Sequence, residues 1–96
     1  MILHTLSAPP DSNAFRDCLA VVSSQDAVLL LGDAVYAALP GNPQLAPLLA
    51  TGAAIHVLAE DALAAGVTEP REGVARSDMK GFVALTERYP RQMAWY

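Results

Sequence analysis

Cys18 is the one thiol in the chain. As a thiolate it would be a nucleophile or a carrier of persulfide sulfur, roles that call for a helix N-terminus, a nearby cation or partial exposure. Its setting is different. Phe15, Cys18, Leu19 and Val22 stand at i, i+3, i+4 and i+7, one apolar stripe of a helix. A mid-helix cysteine on that stripe favours a core role, since free cysteine is among the most buried residue types. His4 and His56 fall in strand-like segments with no H-x-x-x-H or C-x-x-C pattern around them, so each is expected to be a buried, hydrogen-bonded histidine rather than a metal ligand. Asp33 follows Gly32 at the end of an apolar run. It would be an acid, a base or a polar anchor there, or more simply the N-cap of a helix beginning at Ala34. Glu60-Asp61 heads a short helix, where carboxylates complement the helix dipole. No catalytic carboxylate pair, nucleotide-binding glycine pattern or G-x-S-x-G is present. Neither a cofactor nor a metal is expected.

The elements that must position these residues can be read from pattern. Ile2-Leu3-His4-Thr5-Leu6 reads as a strand, ended by Pro9-Pro10. Ser12 or Asn13 caps a helix to about Val22. Ala27 to Leu31 is apolar without alternation, the signature of a strand covered on both faces. A short helix, Ala34 to Leu39, stops at Pro40-Gly41. Asn42-Pro43 starts another, to about Ala50, with Pro47 in its first turns. Ala54 to Leu58 is a strand and Glu60 to Ala65 a helix stopped by Gly66. Gly73 to Arg76 is a weak strand. Ser77 or Asp78 caps a last helix from Met79 to Tyr89, with Met79, Phe82, Val83 and Tyr89 as its apolar face. Arg91 to Tyr96 is left as a tail. This alternation predicts an α/β fold: a small parallel sheet of about four strands with helices on both faces. In such sheets ligands lie beyond the carboxyl ends of the strands, which makes Ser7 and Asp33 the polar candidates there.

Composition narrows the function. Ninety-six residues make a single domain, 1–96. Six basic against ten acidic residues give a net charge of −4, too little positive charge to grip nucleic acid directly. The chain is 53% hydrophobic and only 17% charged, against about 25% charged in ordinary domains. A domain this small buries only roughly 60–65% of its unfolded surface, so part of its apolar content is expected to meet other subunits. The aromatic end suits the same role: Met93, Trp95 and Tyr96 are interface candidates. No run approaches membrane-spanning length and no signal-like segment opens the chain, so a soluble cytoplasmic protein is expected.

Several segments resemble the TusB/DsrH family: Leu3-His4-Thr5-Leu6-Ser7-Ala8-Pro9 at the start, Leu29-Leu30-Leu31-Gly32-Asp33-Ala34-Val35, Val57 through Gly66, Gly81-Phe82-Val83-Ala84-Leu85-Thr86, and Pro90-Arg91-Gln92-Met93-Ala94-Trp95. The resemblance covers nearly the whole chain. The family's Asp-Gly after the central strand is Asp33-Ala34 here, its Asp-Tyr before the last helix is Asp78-Met79, its arginine before the helix-closing glycine is Ala65, and Tyr96 is extra.

The resemblance implies a DsrE-like fold and an auxiliary subunit of a sulfur-relay complex, TusBCD or DsrEFH. Its partners would be TusC/DsrF-like and TusD/DsrE-like homologues in a heterohexamer, with indirect relay to a TusE/DsrC-like acceptor. The sulfur would go to 2-thiouridine at the tRNA wobble base or, in the Dsr version, serve sulfur oxidation. The principal persulfide cysteine of the family sits on the TusD/DsrE-type subunit, at the start of a helix after a central strand. This chain has no cysteine at a strand end. Cys18 resembles a thiol found in the first helix of DsrH-type members, so a Cys18-dependent persulfide carrier is the alternative. A self-associating α/β module without a sulfur role is a third reading.

Overall fold

In the computed structural model, which describes residues 1–67, 69 and 72–96, five strands form one sheet. They are β1 (Ile2–Leu6), β2 (Ala27–Leu30), β3 (Ala54–Leu58), β4 (Val74–Ser77) and β5 (Arg91–Trp95). The helices are α1 (Asn13–Val21), α2 (Leu45–Ala50), α3 (Ala59–Ala64) and α4 (Met79–Arg88), with a 3-10 helix at Gly32–Ala38. The strand order is β4-β3-β2-β1-β5 and every pairing is parallel. The unbroken apolar run of β2 thus occupies the middle of the sheet, with all four residues buried.

Register sorts the side chains onto two faces. Val28, Leu30, Leu6, Ile55, Val57 and Val74 meet Phe15 and Cys18 of α1, the 3-10 helix and α2 in one core. Leu3, Ala27, Leu29 and Leu58 meet Leu85 and Tyr89, beside the half-buried Phe82, in a second. Four helical segments cover one face, α3 joining through the buried Ala62. The ten residues of α4 supply the helical cover of the other.

Local chemistry sets the boundaries. The Ser12 hydroxyl caps α1 by accepting the Phe15 N–H at 3.2 Å. Asp78 caps α4 by accepting the Gly81 N–H at 2.8 Å. Gly66, at φ +82°, ends the turn after α3 in a left-handed conformation that side chains resist. Pro47 sits in the first turn of α2, where its missing N–H has no helical acceptor to lose.

Four sequence expectations are corrected. The tail is a strand: β5 pairs with β1 from Ile2↔Arg91 to Leu6↔Trp95. Its side chains are exposed except for the half-buried Trp95, so no hydrophobic pattern announced it. The segment after β2 is a 3-10 helix that starts at Gly32, not Ala34. The Asn42 side chain accepts the Gln44 N–H at 2.9 Å in a turn of its own, and α2 begins later, at Leu45. Finally, α4 turns Phe82, Leu85 and Tyr89 inward and leaves Met79 and Val83 exposed. Leu85 and Tyr89 are i, i+4 neighbours, and that stripe lies rotated from the Met79–Val83 one. Among the described residues, no helix is long and apolar enough to cross a membrane.

Phe15 is fully buried and joins α1 to the larger core. Phe15→Ala should therefore lower stability by about 3–5 kcal/mol in urea denaturation.

Candidate functional site

The carboxyl ends of the strands frame a crevice of about 200 Å³ lined by Gly32, Asp33, Tyr36, Asp61, Ala64 and Ala65. Its floor is set by backbone. The Leu31 N–H donates to the Leu6 carbonyl at 3.0 Å, carrying β1–β2 pairing one step past the strand. Gly32 then turns at φ +54°. Its N–H donates to Asp61 Oδ2 at 2.8 Å. The carboxylate of α3 thus satisfies an orphan donor at the start of the 3-10 helix, and Asp33, expected as the N-cap of a helix from Ala34, lies inside the first turn instead. Position Leu31 is the N-cap and has no capping side chain. Asp33 sits in the first turn with its side chain exposed to the crevice. Tyr36, 42% exposed, is shared with a neighbouring hollow that also involves Pro10, Asp11, Asn42, Pro43 and Gln44. The crevice therefore offers carboxylates and a phenol, and no thiol.

Ser7 lies at the end of β1 but is turned to the sheet edge. Its N–H and its hydroxyl both donate to the Trp95 carbonyl, at 3.0 and 3.2 Å. Cys18 is in the larger core, fully buried, and does not line the crevice. Burial pushes its thiol up to about 12. At neutral pH it is a protonated thiol, the unreactive form. Among the described residues no group of three His, Cys, Asp or Glu is placed to hold a metal ion.

The most constrained polar cluster lies elsewhere, along β1. His4 is fully buried. The Trp95 indole N–H donates to His4 Nδ1 at 3.1 Å. Indole nitrogen only donates, so Nδ1 must present a lone pair and the ring proton sits on Nε2. That Nε2–H faces Asp26 Oδ2 at 3.0 Å. The Asp26 carboxylate also accepts the Ile2 N–H at 2.9 Å and the Ser23 N–H at 3.0 Å, with the Met1 amino group 3.9 Å away. Burial pushes the Asp26 carboxyl up, but the hydrogen bonds from Ser23, His4 and Ile2 outweigh it and hold it down at about 2. In the sequence Asp26 falls in the short polar stretch Ser23-Ser24-Gln25-Asp26 between the first helix and the apolar run from Ala27. A carboxylate directly before a continuous apolar strand was the sole hint, and a weak one.

His56 is half-buried on the α4 side of the sheet, its Nδ1 3.1 Å from the Ser77 hydroxyl. Burial, then the positive charge of Arg88, push its pKa down. Both histidines are thus hydrogen-bonded, as the sequence suggested. Of the aromatic end, Trp95 is half-buried in the cluster above, whereas Met93 and Tyr96 are exposed, Tyr96 at 86%. The structure brings Ser7 and Trp95 together, and leaves Asp33 and Cys18 apart in crevice and core.

Three comparisons bear on this geometry. The family model described as DsrH like protein matches residues 7–92. Protein TusB of Pectobacterium parmentieri is 41% identical over 95 residues, covering 98% of this chain and 100% of the relative. Protein TusB of Escherichia coli strain K12 is 38% identical and that of Sodalis glossinidius 36%, each with the same coverage. Among solved structures, the ychN protein of E. coli superimposes with a TM-score of 0.73 at 20% identity, covering 97% of this chain and 96% of that one. That likeness concerns the fold.

Two outcomes follow for the polar cluster. Trp95→Phe keeps an aromatic ring but leaves His4 Nδ1 without its donor, and should lower stability by about 1–3 kcal/mol in urea titration. The Asp26 carboxyl is held at about 2 against an ordinary 3.8. Its contribution is complete above that ordinary value and lost as pH falls through the folded one, about 2 kcal/mol in all. Urea midpoints measured from pH 5 to pH 2 should show this loss, and Asp26→Asn should flatten it.

Proposed function

The chain belongs to the DsrH family, and on that premise we propose that it is an auxiliary subunit of a TusBCD-like sulfur-relay complex, one that holds partners in place while another subunit carries the sulfur. The observation that carries this reading is the state of its only thiol. Cys18 is fully buried in the α1 core and pushed up to about 12. A sulfur carrier attacks the outer sulfur of a donor persulfide as thiolate, takes that sulfur, and releases the donor as its own thiolate. A thiol that is neither ionised nor accessible is a poor agent for that exchange.

The strand-end crevice supports the same division of labour. The TusD/DsrE-type subunit is the one expected to hold its cysteine where a helix begins after a central strand. Here that position reads Gly32-Asp33, with Asp61 engaged on the Gly32 N–H. The partners are TusC/DsrF-like and TusD/DsrE-like homologues in a heterohexamer, passing sulfur to a TusE/DsrC-like acceptor and on toward 2-thiouridine at the tRNA wobble base. The setting is cytoplasmic. The chain acts as one domain, 1–96, and its net charge of −4 suits protein-to-protein relay without direct contact with tRNA. Met93, Trp95 and Tyr96 lie together on β5 and beyond it, and form part of the surface that meets a neighbouring subunit.

Intact-mass spectrometry of the assembled complex after exposure to a persulfide donor tests this. The expected result is a reducible gain of one sulfur on the TusD-like chain and none on this one, with Cys18→Ala leaving transfer to the acceptor unchanged. A reducible sulfur on this chain that disappears in Cys18→Ala would overturn the reading and make Cys18 the carrier.

A further inference from the structure

The edge of the sheet at β5 is built differently from the edge at β4. In a parallel ladder, alternate residues of an edge strand turn their N–H and C=O inward and the rest turn them outward. The Ser7 N–H donates to the Trp95 carbonyl and the Thr5 hydroxyl to that of Met93, so Arg91, Met93 and Trp95 are the inward set. Gln92 and Ala94 then present their N–H and C=O groups outward, and β5 has no neighbour on that side among the described residues. Exposed edges are ordinarily blunted by charge, proline, a bulge or brevity. The β4 edge is four residues long and carries Arg76. β5 has five residues; its one charge, Arg91, stands at its first position, and its centre, Gln92-Met93-Ala94, is exposed and carries neither charge nor proline. Met93 and Tyr96 add exposed apolar surface beside it.

Resting on the sulfur-relay reading above, we propose that the outer edge of β5 accepts an extended segment of a partner subunit as a sixth strand, and that this segment carries a carboxylate opposite Arg91. Two residues' worth of outward backbone groups specify an extended chain, because only a strand can pair with them in register. Arg91 is the only charge on β5 and is exposed. A second copy of β5 brings no carboxylate to meet it, since the strand reads Arg-Gln-Met-Ala-Trp. A partner strand bearing Asp or Glu satisfies it, and that charge complementarity selects a different chain over a second copy.

The geometry supplies its own test. Proline at position 94 removes an outward N–H and leaves the ladder to β1 whole, an edge-strand setting in which proline is tolerated. The complex is formed by co-expressing this chain with its TusC-like and TusD-like partners and is followed by gel filtration across a dilution series. Ala94→Pro should assemble at least about tenfold more weakly than the unaltered chain, while its Trp95 fluorescence and melting temperature stay as before. Arg91→Glu, a surface change that leaves every backbone bond in place, should weaken assembly in the same direction. Assembly that is normal in both variants overturns the edge as the docking site and leaves the sulfur-relay reading standing. If instead the unaltered chain forms a homodimer that Ala94→Pro abolishes, with assembly onto the partners unaffected, the occupant is a second copy and the proposal fails. If the unaltered chain does not assemble with those partners at all, the sulfur-relay reading fails, and this inference with it.

Discussion

One buried imidazole with both nitrogens committed ties the sheet together. His4 links a carboxylate at the start of β2 to an indole at the end of β5, and each partner allows a single arrangement of protons. Asp26 extends the link to the Ile2 and Ser23 backbone. Three stretches of chain therefore meet around a ring that water does not reach. In a low-dielectric setting such a network is rigid when complete, and the loss of any one member strands the others. The ladder between β1 and β5 depends on it most. With nearly every β5 side chain exposed, Trp95 is the only one that packs inward.

The same economy explains the strand-end crevice. In parallel sheets this is where chemistry collects, because loops and helix starts converge there. Here one of its three polar side chains, Asp61, is occupied in holding the fold, as is Ser7 outside it at the end of β1. Asp61 satisfies the Gly32 N–H, and Ser7 directs both of its donors to the Trp95 carbonyl. Asp33 and Tyr36 remain directed at solvent. The lone thiol lies within α1, where burial keeps it protonated. A fold suited to chemistry has thus been furnished with residues suited to shape, and the proposed role as a scaffold among related subunits follows from that substitution.

The sequence made the architecture readable where packing and local capping agree. The apolar run of β2, the Ser12 cap and the stripe through Phe15 and Cys18 each carry one physical meaning, and the structure matches it. Legibility failed where backbone or distant partners decide. The pattern of β5 is set by pairing with β1 rather than by burial, so no periodicity marked it. The inward stripe of α4 depends on which of two apolar rows meets the sheet, and Leu85 rather than Val83 does. Asp26 and Asp61 each act on residues more than twenty positions away, so neither role could be read from neighbouring sequence.

Because β1 is flanked by β2 on one side and by β5 on the other, the first strand of the chain is completed by the last. Contacts of such high sequence separation are the slow ones in folding, since a long loop must close before they form. The four strands β1 to β4 can assemble earlier, leaving β1 with a raw edge and His4 without its indole. Until residues 91–95 pair with β1, the molecule presents a different surface, with the backbone groups of β1 open on one side.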